Sequence, residues 1–207
     1  KQDRIRHALE GEAAVSVSAL DRRKDDIPMS MLFAETTIAL AEPDLVLAPL
    51  CDHLLDHDAQ IRRESDLTVI VLGRGEAKLR AGDALLTVAI EAPDLASLQE
   101  LKRAIASHVV EFAPPGEKPA IAWTGDGQAP SLPPEFRVLT VTATEQLSPH
   151  MKRIHFYGED LARYASLEAL HVRLFLPPPD LIEPAWPMLG ADGLLQLPPP
   201  ELRPAVP

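Results

Sequence analysis

Apolar and polar positions between residues 30 and 125 follow two periods, and together they predict a sheet with two helices. Residues 31–41 (MLFAETTIALA) are rich in β-branched and apolar side chains, which is typical of a strand. Residues 66–92 contain three apolar segments separated by glycine-containing turns, which indicates a three-stranded meander. Residues 118–125 (KPAIAWTG) predict a last short strand.

Two stretches of this region have helical spacing. In residues 42–58 (EPDLVLAPLCDHLLDHD) the leucines recur mostly on one helical face, and Asp44 is the predicted N-cap. Pro49 lies either in the first turn of that helix or at a kink. Residues 92–113 form the clearest predicted helix, capped by Asp94. Its apolar face comprises Leu95, Leu98, Leu101, Ile105 and Val109. A sheet covered on one face by two helices predicts the α+β fold class.

Composition divides the chain into four parts. We predict a charged extension over 1–28, the α+β domain over 29–125, a Gly/Pro/Ser-rich linker over 126–135 and a second domain over 136–207. The second domain begins with two strands, in FRVLTVTATEQL and MKRIHFYG, followed by a helical turn in EDLARYAS and a third strand in HVRLFLPPP. Three strands bury too little apolar surface for a core. The second domain is therefore expected either to pack on the first or to be completed by further chain.

Overall composition limits the function classes. The net charge of −11 argues against nucleic acid as a partner and requires a local basic pocket for any anionic ligand. No apolar stretch is long enough to span a membrane, and no secretory signal is visible. The single cysteine, Cys51, suits a reducing compartment, so we expect a cytoplasmic protein.

Several segments carry a resemblance to a known architecture. VTATEQLSPHMKRIHFYGEDL, HVRLFLPPP and a following Trp-Pro resemble, in this order, the amino-terminal part of the siderophore-interacting protein family. LCDH, GRGEAKL, SHVVEFA and IAW, within residues 32–124, resemble the small domain of unknown function that is often fused in front of such proteins. The resemblance implies the first strands of an antiparallel flavin-binding β-barrel over 136–207.

The resemblance also implies a function. The family comprises ferric-siderophore reductases, which pass electrons from NAD(P)H through FAD to the Fe(III) of a bound siderophore. Arg173, in HVRLF, matches the position of a substrate-facing basic residue, and His171 lies two residues earlier. The family's flavin segment, Arg-x-Tyr-Thr-x-Arg, has no counterpart in the final PPPELRPAVP, so Arg203 inherits no flavin role. We therefore expect the chain to be the front part of a longer reductase and inactive by itself.

A histidine cluster in the first domain offers a second chemistry. His53 and His57 are four residues apart and share one helix face, whereas Cys51 points about 200° away from His53. His108 can join them if the two predicted helices pack side by side. Cys51, His53 and His108 coincide with residues usual in the resembling domain, so the pair His53–His108 is the candidate ligand for a metal or a substrate, while a buried cysteine with two interface histidines is more often ordinary packing.

Three hypotheses follow from the sequence. The first is the reductase. The second is a non-enzymatic module that binds an iron chelate or a metal through His53, His108 and Arg173. The third gives the first domain only a docking or dimerisation role. The siderophore, the preference between NADH and NADPH and the oligomeric state stay open.

Overall fold

The computed structural model describes residues 30–165 and 172–206. The predicted extension over 1–28 lies outside the described residues. In chain order the elements are β1 (Leu32–Ala39), α1 (Pro43–Leu55), β2 (Gln60–Glu64), β3 (Leu67–Leu72), β4 (Gly75–Gly82), β5 (Leu85–Ala92), α2 (Leu95–Phe112), β6 (Thr124–Gly125), β7 (Thr140–Ser148), β8 (Met151–Tyr157), a 3₁₀ turn (Leu161–Ala165), β9 (Met188–Leu189), β10 (Leu195–Gln196) and a second 3₁₀ turn (Pro200–Leu202).

The first six strands form one antiparallel sheet with the order β2-β3-β4-β5-β1-β6. The predicted meander is confirmed as β3, β4 and β5. β2 precedes it as an additional edge strand. β6 is shorter than predicted, because only Thr124 and Gly125 pair with β1, while Ile121 and Trp123 enter the core from extended chain. The sequence and this arrangement agree on the α+β class.

Both helices cover one face of the sheet, as the apolar stripes predict. Buried positions alternate along β1 and β5, and they meet the apolar faces of α1 and α2 in one core. Asp94 caps α2 as predicted, since its carboxylate accepts a hydrogen bond from the Ser97 amide at 2.8 Å. Leu95 is an exception within the predicted apolar stripe, because it is exposed.

The start of α1 differs from the prediction. Glu42 is the N-cap, Pro43 opens the helix, and Asp44 lies inside the first turn rather than at the cap. A proline is favoured at the first helical position because its fixed φ suits the helix and its missing N–H has no partner there. Pro49 lies inside the helix.

The residues after 139 form two small sheets. β7 and β8 pair as the predicted hairpin across the Ser148-Pro149 turn, and β9 pairs with β10. Every residue of β8 is exposed, as is every residue of β7 except Ser148. The helical turn predicted near residue 161 is confirmed as the 3₁₀ turn Leu161–Ala165.

The prediction of a third strand in HVRLFLPPP is wrong for residues 172–179, the part of this stretch that the structure describes. Residues 172–176 contain no strand, and only Leu176 makes an isolated bridge, to Ala205. The following run Pro177–Pro179 lacks backbone N–H donors, and among the described residues no neighbouring strand pairs with this segment. Among the described helices, none combines the length and the apolar character that a membrane crossing requires.

Candidate functional site

The two helices bring three histidines together. His53 lies in the last turn of α1, and its ring centroid is 4.7 Å from that of His57 and 4.5 Å from that of His108 on α2. The Nε2 atoms of His53 and His57 are 3.0 Å apart, which is hydrogen-bond distance. His57 is exposed, whereas His53 and His108 are half-buried. We call His53, His57 and His108 the histidine cluster.

His108 has a defined orientation within this cluster. Its Nδ1 lies 2.5 Å from the carbonyl oxygen of Ala104, and because a carbonyl can only accept, Nδ1 carries the proton. Its ring stacks on Phe112 at 5.9 Å with an interplanar angle of 19°. Glu111 is a charged neighbour, with a carboxylate oxygen 4.0 Å from His108 Nε2. The ring of His108 is therefore held in place beside His53.

Cys51 does not join the histidine cluster. Its side chain is 1 % exposed and belongs to the hydrophobic core, on the opposite side of α1. Burial raises the pKa of the Cys51 thiol, although Arg63 partly offsets this effect. The thiolate form that ligates metals is thus disfavoured, in agreement with the sequence argument from helical angle. Across residues 30–165 and 172–206, no group of three or more His, Cys, Asp or Glu side chains is arranged to hold a metal ion.

Of the two predicted substrate-binding residues, only Arg173 lies among the described residues. His171 lies outside the described residues. Arg173 is exposed, and in the part of the chain that the structure describes its guanidinium makes no hydrogen bond or ion pair. Other arginines of this region are engaged. Arg153 pairs with Glu145 at 3.1 Å, and Arg203 donates two hydrogen bonds to the carbonyl of Pro198.

Phe136 connects the segments that carry the family resemblance. Its ring lies 5.6 Å from the ring of Phe175, two residues after Arg173, and 5.6 Å from that of Trp186 in the Trp-Pro motif. The chain that follows Arg173 is thus fixed, Phe175 by this aromatic contact and Leu176 by its bridge to Ala205. The aromatic trio places Arg173 at the edge of an ordered cluster.

Close packing explains why a glycine, Gly158, follows directly after β8. A Cβ atom at this position would lie 2.7 Å from the side chain of Leu139 and 3.2 Å from the carbonyl of Val138. Only a glycine allows such a close approach without displacing a neighbour. The Gly-x-x-Leu motif therefore has a packing role at Gly158, and Leu161 begins the 3₁₀ turn that follows.

A groove lies where β9 and β10 meet the first domain. Its volume is about 350 Å³, and it is lined by Ile121, Ala122, Trp123, Ala191, Asp192 and Gln196. Trp123 donates a hydrogen bond from Nε1 to the carbonyl of Asp192 at 3.0 Å. None of the lining residues is cationic, so the groove does not provide the basic pocket that an anionic ligand needs.

Lys102 is a buried ionisable residue that the sequence argument did not single out. Its side chain is fully inside the protein on α2, and burial lowers its pKa, although Asp192 partly offsets this effect. The spacing of four residues from Leu98 places Lys102 on the apolar face of α2, and this spacing could have revealed its burial.

The fold and these sites define a class of protein: an α+β domain followed by an open hairpin region whose strands are exposed. Residues 35–124 match the family described as "Uncharacterized protein conserved in bacteria (DUF2218)". Residues 140–206 match the family described as "Siderophore-interacting FAD-binding domain". The two matches follow one another in the order that the sequence predicts, and the second match supports a siderophore-interacting, FAD-related role.

The structure is also similar to solved structures of other proteins. No curated protein matches the chain. The NMR structure of PA4090 from Pseudomonas aeruginosa is similar at 18 % sequence identity, covering 45 % of this chain and 95 % of that chain with a TM-score of 0.36.

Proposed function

We propose that the chain is the front part of a ferric-siderophore reductase, which moves electrons from NAD(P)H through FAD to a bound Fe(III)-siderophore and so releases iron. The match of residues 140–206 to the siderophore-interacting FAD-binding family carries this proposal. When bound, FAD supplies the redox chemistry. Reduction releases the metal because Fe(II) binds hard oxygen ligands more weakly than Fe(III) does.

The described residues near the groove do not fit FAD. The pyrophosphate of FAD requires cationic side chains or a helix N-terminus, and the lining of the groove offers neither. We therefore assign no flavin-binding residue in this part of the chain. The exposed faces of the β7–β8 hairpin support the idea that a barrel needs further strands to bury them.

In this proposal, Arg173 contacts the substrate. Ferric siderophores present oxygen-rich and often anionic surfaces, which a guanidinium recognises with paired hydrogen bonds. The chain has a net charge of −11, so a local cation is needed to hold such a ligand. Arg173 meets this need because its guanidinium is exposed and uncommitted within the described residues. His171 remains the proposed second contact.

A binding titration with a ferric tris-catecholate complex tests the role of Arg173. Quenching of tryptophan fluorescence follows binding, and R173A is expected to weaken the affinity by about ten- to a hundredfold, since a hydrogen bond to a charged group contributes about 1.5–3 kcal/mol. R153A is the matched control because Arg153 is also an exposed arginine but is committed to Glu145. Equal affinities of R173A and the unmodified protein would exclude Arg173 as a substrate contact.

A further inference from the structure

The last turn of α1 and the turn that follows it bring two imidazole nitrogens close together. The Nε2 atoms of His53 and His57 are 3.0 Å apart. Two nitrogens that bind one Zn²⁺ ion at about 2.0–2.1 Å are separated by about 3.3 Å at a tetrahedral angle and by about 2.9 Å at a right angle. The observed distance lies within this range, so the two rings need little movement to share a metal ion.

The second helix holds one of the two rings in position. His108 packs against His53, and His108 is itself fixed by its Nδ1–H bond to the Ala104 carbonyl and by stacking on Phe112. Ligand rings that are oriented in advance lose less freedom when a metal binds. The sequence paired His53 with His108 as ligands, whereas the structure shows a nitrogen–nitrogen contact between His53 and His57, and His108 is left with a positioning role.

The electrostatic surroundings favour a cation. The histidine pair lies at the carboxyl end of α1, where the helix dipole is negative. Between Pro43 and Ala59 the chain carries no lysine or arginine, and it carries aspartates at positions 44, 52, 56 and 58. Asp52, Asp56 and Asp58 are exposed and lie close to the pair in sequence. A dication therefore meets a favourable field at this end of the helix.

We propose that His53 and His57 form a two-ligand site for a divalent transition metal such as Zn²⁺, Ni²⁺ or Cu²⁺, for which imidazole is a suitable donor. Because no third side chain of the described residues completes the site, its other coordination positions are open to solvent or to a small chelating ligand. His57 is exposed, so the ion enters directly from solvent. This site lies in the first domain and is independent of the reductase proposal.

Titration of the full 207-residue chain with Zn²⁺ tests the site, with the protein prepared without a polyhistidine tag. Isothermal titration calorimetry is expected to show one ion per chain, and long-range ¹H–¹⁵N NMR is expected to show shifted Nε2 resonances for His53 and His57. H57Q is expected to weaken binding by about tenfold or more, because one of the two ligands is lost. H57Q should not impair folding, because His57 is exposed.

Two control variants separate this site from adventitious binding. H150Q and H155Q remove exposed histidines of the β7–β8 hairpin region and are expected to leave Zn²⁺ binding unchanged. H108F keeps an aromatic ring beside His53 and is expected to retain most of the affinity. The proposal is overturned if H57Q binds Zn²⁺ as tightly as the unmodified chain. The two-ligand assignment is likewise overturned if H108F loses as much affinity as H57Q.

Discussion

Lys102 Nζ donates a hydrogen bond to the carbonyl oxygen of Gly127 at 2.9 Å, although the lysine side chain is almost completely buried. The same ammonium lies 5.6 Å from the centre of the Trp123 ring. A cation in an apolar interior is costly unless polar or aromatic groups receive it. Lys102 thus ties the core of the first domain to the segment that follows β6.

The first prediction concerns the pH dependence of this contact. Burial lowers the folded-state pKa of Lys102 below its ordinary value of 10.5, which the unfolded chain retains. Between these two pKa values the unfolded chain binds more protons, so the contribution of Lys102 to stability increases as pH rises through this window. Urea unfolding of the unmodified chain and of K102M should show a stability difference that moves in favour of the lysine toward pH 10.5. A difference that is independent of pH would contradict the burial argument.

The second prediction concerns the N-cap of α2. Asp94 accepts a hydrogen bond from the Ser97 amide, and this bond, with help from Arg74, lowers the pKa of the Asp94 carboxyl. D94A should cost about 0.5–2 kcal/mol of unfolding free energy, while D94N should retain most of the cap. The contribution of the charge is present above the unfolded pKa of 3.8 and is lost as pH falls through the lower folded value. Thermal unfolding of all three proteins across acidic pH measures both effects, and equal stability of D94A and D94N would argue against the cap.

The third prediction compares two glycines with nearly the same backbone angle. Gly125 has φ +91° and Gly116 has φ +90°, so alanine is strained at both positions. A Cβ on Gly125 would collide with the carbonyl oxygen of Phe33, whereas a Cβ on Gly116 meets nothing within 4 Å. G116A should cost about 1–2 kcal/mol through backbone strain alone. G125A should cost a further ~1–3 kcal/mol because the β1–β6 contact must also shift. Chemical denaturation measures the free energy of unfolding of both variants. Equal losses would mean that the β1–β6 contact can shift without an energetic cost.

The fourth prediction concerns the attachment of β9 and β10 to the first domain. W123F removes the hydrogen bond from Trp123 to the Asp192 carbonyl and should cost about 1–3 kcal/mol, because a poorly exposed acceptor loses its partner. Hydrogen exchange should accelerate at residues 188–196 and stay unchanged in β3–β5. W186F is the control, since Trp186 contributes a ring contact with Phe136. Unchanged exchange at residues 188–196 in W123F would show that this hydrogen bond does not hold the segment.

Alternating burial made several elements of the first domain predictable, whereas a polar edge strand and a segment without a pairing partner were mispredicted. β1, β5 and α2 each have a buried face that the sequence displays with period 2 or 3.6. β2 (Gln60–Glu64) was missed because only Ile61 is partly buried in this polar edge strand. The strand predicted near residue 173 had suitable residues but lacks a neighbouring strand to pair with among the described residues.

In the candidate sites, too, contacts between residues close in sequence could be predicted, whereas contacts that depend on the tertiary fold could not. The four-residue spacing of His53 and His57 was readable from the sequence, and their nitrogens do meet, although α1 ends at Leu55 and His57 lies in the turn that follows rather than on the helix face. The contact of His53 with His108 depends on α1 and α2 packing side by side. The sequence alone did not determine whether the two helices pack in this way. The hydrogen bond between Lys102 and Gly127 joins residues that are 25 positions apart in the chain, so it cannot be predicted from a local sequence pattern.

Anaerobic Fe(II) formation is the decisive assay for iron release by the proposed reductase. The natural product of the reading frame that encodes this chain is incubated with FAD, NADH or NADPH, and a ferric tris-catecholate complex, while a colorimetric Fe(II) chelator reports reduction. Fe(II) formation is expected to require protein, FAD and the nicotinamide together and to slow in R173A at low chelate concentration. Chelate binding with no Fe(II) above the protein-free rate would contradict the reductase and favour a non-enzymatic binding module.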